Sequence, residues 1–198
     1  MLIHEKGPFV RGSILLISFL VLFCVLLTPV MRDEKGNHLT GLQYADNVFN
    51  ELSKGSSYFI PSVREHVKTV EKVNVKVTVT MKKADLAETA VQVLTKAGMT
   101  ASADGAKVTY EGNLAAMLNA ATTDADSLYH NDAATVTARY DGTHALKAAA
   151  AWWYVLSPSI KELQKQRLIA EAQVVDQVLR RAVEPGNNFY SVEPVKVS

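Results

Sequence analysis

Val73-Asn74-Val75-Lys76-Val77-Thr78-Val79-Thr80 decides how the larger part of this 198-residue chain is read. Its four valines alternate with Asn, Lys and Thr, so the β-branched residues share one face and predict a half-buried strand. Downstream, residues 84–97 place Leu86, Ala90, Val93, Leu94 and Ala97 at helical spacing, and Gly98 supplies a stop. Residues 99–103 and 106–111 predict a hairpin about Asp104-Gly105, a dipeptide suited to a two-residue turn. Asn113 can cap a helix running to about Tyr129, with Leu114, Met117, Leu118, Ala121, Ala125 and Leu128 as its apolar stripe. Residues 133–140 predict one more strand, ended by Asp141-Gly142.

That order is β-α-β-β-α-β, which predicts an α+β domain of ferredoxin-like type over residues 73–141, with both crossovers right-handed and both helices on one face of a four-stranded sheet. Upstream, residues 37–54 carry Leu42, Ala45, Phe49 and Leu52 at helical spacing, and a short helix near Pro61 or Ser62 gathers Val63, Val67 and Val70. Downstream, residues 144–156 align Leu146, Ala149, Ala150, Trp153 and Leu156 and end near Pro158. A last helix over residues 159–182 presents Leu168, Ala172, Val175 and Leu179, and residues 184–188 end it before an irregular or edge-strand tail.

The N-terminal region has a different character. Residues 12–31 hold no charged side chain and lie between Arg11 and Arg32. Twenty residues at about 1.5 Å rise span roughly 30 Å, the thickness of a bilayer's hydrocarbon core. Twelve of the fourteen residues from Ile14 to Leu27 are Leu, Ile, Val or Phe, so insertion is favoured by roughly 5 kcal/mol. A cleaved signal peptide would need a shorter apolar run and a small-x-small site, whereas this run leaves through Thr28-Pro29-Val30-Met31-Arg32. Nor do small residues precede Cys24, as a lipoprotein signal requires; Phe23 does. The chain thus divides into a short N-terminal tail (1–11), a transmembrane helix (12–31), a juxtamembrane helical segment (32–72), the α+β core (73–141) and C-terminal helices with a tail packing on it (142–198). The α-amine, Lys6 and Arg11 on one side, against Arg32 and Lys35 on the other, tilt the positive-inside count toward a cytoplasmic N-terminus. The expected location is a cell membrane, specifically a bacterial inner membrane, with the domain in the periplasm.

Without its first 32 residues the chain keeps 18 basic and 19 acidic side chains of the original 21 and 20, intermixed along the sequence. That balance offers no basic footprint for nucleic acid. Cys24, the single cysteine, lies in the apolar run, so no intrachain disulfide and no cysteine-based metal or haem site is expected. His130 lies beside Asn131-Asp132, and His144 follows Asp141-Gly142-Thr143. Were residues 133–140 extended, Asp132 and Asp141 would stand roughly 30 Å apart, and each site alone offers too few ligands for a metal. Gly55-Ser56-Ser57 is no nucleophile elbow, and phosphate loops are absent. Asp124-Ala125-Asp126 lacks the glycine and terminal glutamate of an ion loop, and reads as a solvated helix face. No catalytic residue, metal ligand or cofactor-binding residue is assigned, and no cofactor is expected.

Trp152-Trp153-Tyr154 is the most unusual cluster. Adjacent helical residues point about 100° apart, so one tryptophan can enter the core while the other sits at its boundary. Trp152, Trp153, Tyr154, Tyr58 and Phe59 are therefore the candidate partner-binding residues, since large aromatics dominate interface hot spots. The reading of function is a non-enzymatic single-pass protein. Its extracytoplasmic domain docks as an accessory subunit on other subunits of a membrane-embedded complex, and the bilayer itself is a partner through residues 12–31. About eleven residues precede the span, too few for a cytoplasmic signalling domain. At the level of fold alone the plan is similar to single-span inner-membrane components of pilus and secretion machines with a ferredoxin-like periplasmic domain, though the stretch between the span and the first strand is short and broken rather than a long coiled coil. The alternatives are a tethered ligand-binding domain that signals to a partner, and an anchored hydrolase with Ser, His and carboxylate meeting in one cleft.

Overall fold

The computed structural model describes residues 6–33 and 36–193. Residues 1–5, 34–35 and 194–198 lie outside the described residues. They include the start of the short tail, Lys35 of the charge count and the end of the C-terminal segment. The chain forms two units, Met1–Ser53 and Lys54–Ser198.

In the first unit, α1 (Lys6–Leu27) buries none of its residues. It begins earlier and stops sooner than the expected span. Pro29 disfavours helical backbone at Thr28, and the Thr28 hydroxyl donates to Val25 O at 2.7 Å, closing the last turn. Two short strands, β1 (Met31–Arg32) and β2 (His38–Leu39), then pair antiparallel. The Asp33 carboxylate holds their connection by accepting from Asn37 N at 2.7 Å and Asn37 Nδ2 at 2.8 Å. Next comes α2 (Gly41–Ser56). A capping box starts it: Gln43 N donates to Thr40 Oγ1 at 3.2 Å, and Thr40 N donates to Gln43 Oε1 at 2.9 Å. The helix therefore begins four residues later than periodicity alone suggested.

The second unit is built on the stretch that opened the reading. β3 (Asn74–Thr80) alternates buried and exposed residues along its length. It pairs antiparallel with β5 (Lys107–Asn113), which pairs in turn with β4 (Thr100–Asp104), giving the order β3-β5-β4. The hairpin turn is Gly105-Ala106 rather than Asp104-Gly105, because Asp104 pairs with Lys107. Gly105 takes φ +56, which a residue with a Cβ adopts at a steric cost. On the buried face, Val75, Val77, Val79, Val108 and Tyr110 meet α4 (Ala87–Lys96) and α7 (Ala145–Lys165). The opposite face carries polar pairs such as Lys76–Glu111 at 2.9 Å and Thr78–Thr109 at 2.9 Å.

The fourth strand of the expected ferredoxin-like arrangement is not formed. Residues Ala133–Arg139 make a helix, α6. Asp132 caps it, accepting from Thr135 N at 3.1 Å, and the Thr135 hydroxyl, followed by that N–H, holds the Asp132 carboxyl below the usual carboxylate range. The buried residues of the segment, Val136 and Tyr140, are four apart. A separation of four puts two residues on one side of a strand and on one side of a helix alike, so the apolar pattern could not separate the two. The β-branched residues Thr135, Val136 and Thr137 weighed toward strand; the cap decided for helix.

Two other boundaries moved. α7 continues through Pro158, which removes one helical hydrogen bond. Trp152, Val155 and Leu156 are buried before it and Leu163 after it, and that burial outweighs the missing bond. The expected single helix over 159–182 is broken at Arg167, where φ is +66. It resumes as α8 (Ile169–Val178), passes through a π-helical turn (Leu179–Val183) and ends in α9 (Glu184–Asn188). The remaining helices are α3 (Ile60–Lys68) and α5 (Leu114–Tyr129). Asn113 caps α5 as expected, accepting from Ala116 N at 2.9 Å.

Candidate functional site: an aromatic groove and two buried charges

The three aromatic residues of α7 part company. Trp152 is 1 % exposed and donates its indole N–H to Asp124 Oδ2 at 2.7 Å. Asp124, on α5, is itself buried and also accepts from Arg139 Nη1 and from the Tyr140 hydroxyl. Burial raises the Tyr140 hydroxyl pKa, opposed by the Trp152 hydrogen bond and the nearby Arg139 charge. One carboxylate thus joins α5 to the end of α6, through Arg139 and Tyr140, and to α7, through Trp152. The expectation of a solvated Asp124-Ala125-Asp126 face fails for Asp124. Residues 124 and 126 point about 200° apart on a helix, and Asp124 lies three after Ala121 and four before Leu128, on the buried stripe. That spacing was the available signal.

Asp126 faces the other way. Its carboxylate accepts from the Tyr58 hydroxyl at 3.0 Å and Arg64 Nη2 at 3.1 Å, and His130 Nδ1 stands 3.2 Å away. Tyr58 is exposed, with its ring 5.2 Å from that of Tyr129. Phe59 is also exposed, with the Arg181 guanidinium 5.6 Å from its ring centroid.

Trp153 and Tyr154 line a surface groove. Their rings meet edge to face at 5.0 Å, and Trp153 Nε1 donates to Glu184 Oε1 at 3.0 Å. The Lys83 ammonium lies 5.8 Å from the Tyr154 ring centroid. Small residues of α7, Ala149 and Ala150, leave room beside the rings, and Val183, Glu184, Asn187 and Asn188 form the other wall. The space is about 380 Å³.

Compared with known protein families, with curated proteins and with solved structures, the chain matches none.

Among the described residues no three of His, Cys, Asp and Glu converge as metal ligands would. The separation expected between Asp132 and Asp141 changes with the helix between them, to about 14 Å at 1.5 Å per residue.

Lys54 is a buried residue that periodicity did not single out. It is 3 % exposed and donates from Nζ to Asn131 Oδ1 at 3.4 Å, to Phe189 O at 3.1 Å and to Val192 O. The ammonium lies 5.3 Å from the Tyr129 ring centroid, and the Tyr129 hydroxyl donates to Lys54 O. Asn131 completes the clasp, accepting from Ser191 N at 2.8 Å and donating to Val192 O at 3.1 Å. Burial lowers the Lys54 pKa, partly offset by the Glu193 carboxylate. Between the lowered value and 10.5 the unfolded chain holds more protons, so this group's contribution to stability rises with pH across that window. Lys54→Met is expected to take the charged donor from the carbonyls of Phe189 and Val192, which keep only Val192 N and Asn131 Nδ2, and to destabilise the clasp by about 1–3 kcal/mol. Amide exchange over residues 186–193 would then rise by roughly tenfold or more; exchange unchanged from the parent chain there would refute the clasp.

Proposed function

We propose that the chain is a single-pass membrane protein whose second unit serves, without catalysis, as a docking or accessory subunit of a membrane-embedded assembly. The observation that carries the reading is α1, 22 residues long, apolar, and with none of its residues buried. An apolar helix left uncovered by its own chain is explained by a bilayer around it. The reading keeps the N-terminus in the cytoplasm and the domain in the periplasm of a bacterial inner membrane; Lys6 and Arg11 before the span balance Arg32 and Lys35 after it, so only the α-amine tilts the count that way.

Docking is supported by the groove. Trp153 and Tyr154 keep part of their surface in solvent although the same helix buries Trp152. Half-buried, rigid aromatics are the residues most often found as interface anchors. Extraction in mild detergent should recover the chain with other membrane subunits. Trp153→Ala is expected to lower that association by about thirtyfold, or roughly 2 kcal/mol, while the thermal midpoint of the chain moves little. A lone monomer after crosslinking in native membranes would refute the assembly.

One observation favours a second reading. The groove volume of about 380 Å³ falls within the size range of small-molecule sites, and Glu184, Asn187 and Asn188 give it polar groups. In this reading the domain binds a small cationic ligand and passes its state to a partner. Saturable quenching of tryptophan fluorescence by such a ligand, abolished in Glu184→Gln, would favour it over docking.

A further inference from the structure

The face of α2 has a use that the docking reading does not supply. At about 100° per residue, Leu42, Tyr44, Ala45, Val48, Phe49 and Leu52 fall on one arc of about 160°. Gln43, Asp46, Asn47, Asn50, Glu51 and Ser53 fill the opposite arc, and of the remaining residues only Gly41, Gly55 and Ser56, at the ends of the helix, fall among the apolar positions. A helix so divided normally buries its apolar side. Here that side is largely open: Phe49 is 68 % exposed, Leu42 and Leu52 are 54 % exposed, and Tyr44 is 44 % exposed.

The position of the helix start identifies what covers that face. The chain leaves α1 at Leu27, turns through the β1–β2 pair and returns, so that Gly41 lies directly against Leu26. A Cβ at Gly41 would sit 2.9 Å from Leu26 Cδ2, 3.4 Å from its carbonyl oxygen and 3.5 Å from its Cα. A side chain here would first meet the movable tip of Leu26, and the approach sets the first residue of α2 level with the last turn of the span. Beyond that contact α2 does not run back along α1. An apolar helical face that starts at the end of a membrane span, and then leaves the span, has the bilayer surface as its nearest apolar phase.

We propose that α2 is an interfacial helix, lying in the plane of the membrane with Leu42, Ala45, Phe49 and Leu52 in the headgroup and upper acyl region. This rests on the reading of α1 as a membrane span. The polar arc carries Asp46 and Glu51 and no lysine or arginine before Lys54, so the attraction is apolar and does not require anionic lipid. Tethering by α1 holds the helix at high effective concentration near the surface, which makes a face of modest size sufficient.

The test uses the full chain with Cys24→Ser, reconstituted in phosphatidylcholine vesicles. An environment-sensitive fluorophore is placed on Phe49→Cys or, on the opposite arc, on Asn47→Cys. Both positions are exposed, so neither substitution removes a packed side chain. Lipids carrying a nitroxide near the headgroup should quench the label at 49 at least about twofold more than the label at 47, and aqueous iodide should show the reverse order. Equal behaviour of the two labels, in a chain that resists alkaline carbonate extraction, overturns the interfacial helix and leaves the span standing. Crosslinking between copies at position 49 without lipid quenching overturns it in favour of a second copy of this chain. Release by carbonate overturns the span and the interfacial helix together.

Discussion

Asp124→Ala is expected to destabilise the second unit by about 3–5 kcal/mol, the usual cost of removing one partner from a buried ion pair. The substitution leaves three donors behind. Arg139 is 31 % exposed on its side chain and can turn toward water, so it contributes the smaller part. The Tyr140 hydroxyl and the Trp152 indole N–H are buried and both lose the carboxylate they share, and an unsatisfied buried group costs about 1–3 kcal/mol. Chemical denaturation of the full chain in detergent, followed by tryptophan fluorescence, measures the effect. Coupling is the sharper check. Trp152→Phe removes one donor, and in combination with Asp124→Ala the two costs should fall short of their sum by about 1 kcal/mol or more. Additive costs would mean that the carboxylate and the indole stabilise the fold independently. Asp124→Asn should be intermediate, because the amide retains one acceptor oxygen but loses the charge that pairs with Arg139.

Alkaline pH is expected to have the second large effect, through Tyr110. Its side chain is fully buried between β5 and α7, and its hydroxyl shares a 2.7 Å hydrogen bond with Ser159. Burial pushes its pKa up from 10.0 to about 12, with the Ser159 bond acting in the opposite direction. A group whose folded pKa exceeds its unfolded value contributes stability that is complete below the unfolded pKa. That contribution is lost as pH rises from 10 to about 12. A separation of this size corresponds to a loss on the order of 3 kcal/mol. Lys54 works with the opposite sign and at lower pH, so the comparison must be made against a variant. Tyr110→Phe should cost about 1 kcal/mol at neutral pH, since Ser159 keeps its bond to Val155 O at 2.6 Å. Between pH 10 and 12 the variant's stability should then fall less steeply than that of the parent. Parallel slopes would show that Tyr110 ionises as easily in the folded chain as in the unfolded one.

Tyr110 and Asp124 also show how unevenly the molecule could be read from its residues. Tyr110 lies on the alternation of a strand, and its burial follows from period two once β5 is recognised. Val75, Val77 and Val79 were legible for the same reason. The caps at Thr40 and Asn113 are local and carry their own sequence signal, although the Thr40–Gln43 pair went unread and the start of α2 was misplaced with it. Asp124 carried only a weak signal, a spacing that a charged residue normally overrides. Lys54 carried none, because its acceptors are contributed by residues 131, 189 and 192. The groove was legible in part: Trp153 and Tyr154 were singled out, whereas Glu184 and the asparagines of α9 reach them only through a π turn that no local pattern announces.

What the amino-acid sequence determined by itself was whatever depends on neighbours a few residues apart. The apolar helix near the N-terminus, the alternating strand, the two-residue turn region and the capped helix α5 belong here, because propensity, periodicity and caps act within one or two turns. What only the tertiary structure decided was the choice between equal local alternatives. Residues 133–139 carry an apolar spacing that suits strand and helix, α7 had to gain more from burying Leu163 than it lost at Pro158, and the charges of Asp124 and Lys54 had to find partners far along the chain. Burial free energy depends on what is brought alongside, and these outcomes were settled by contacts that no short window of sequence contains.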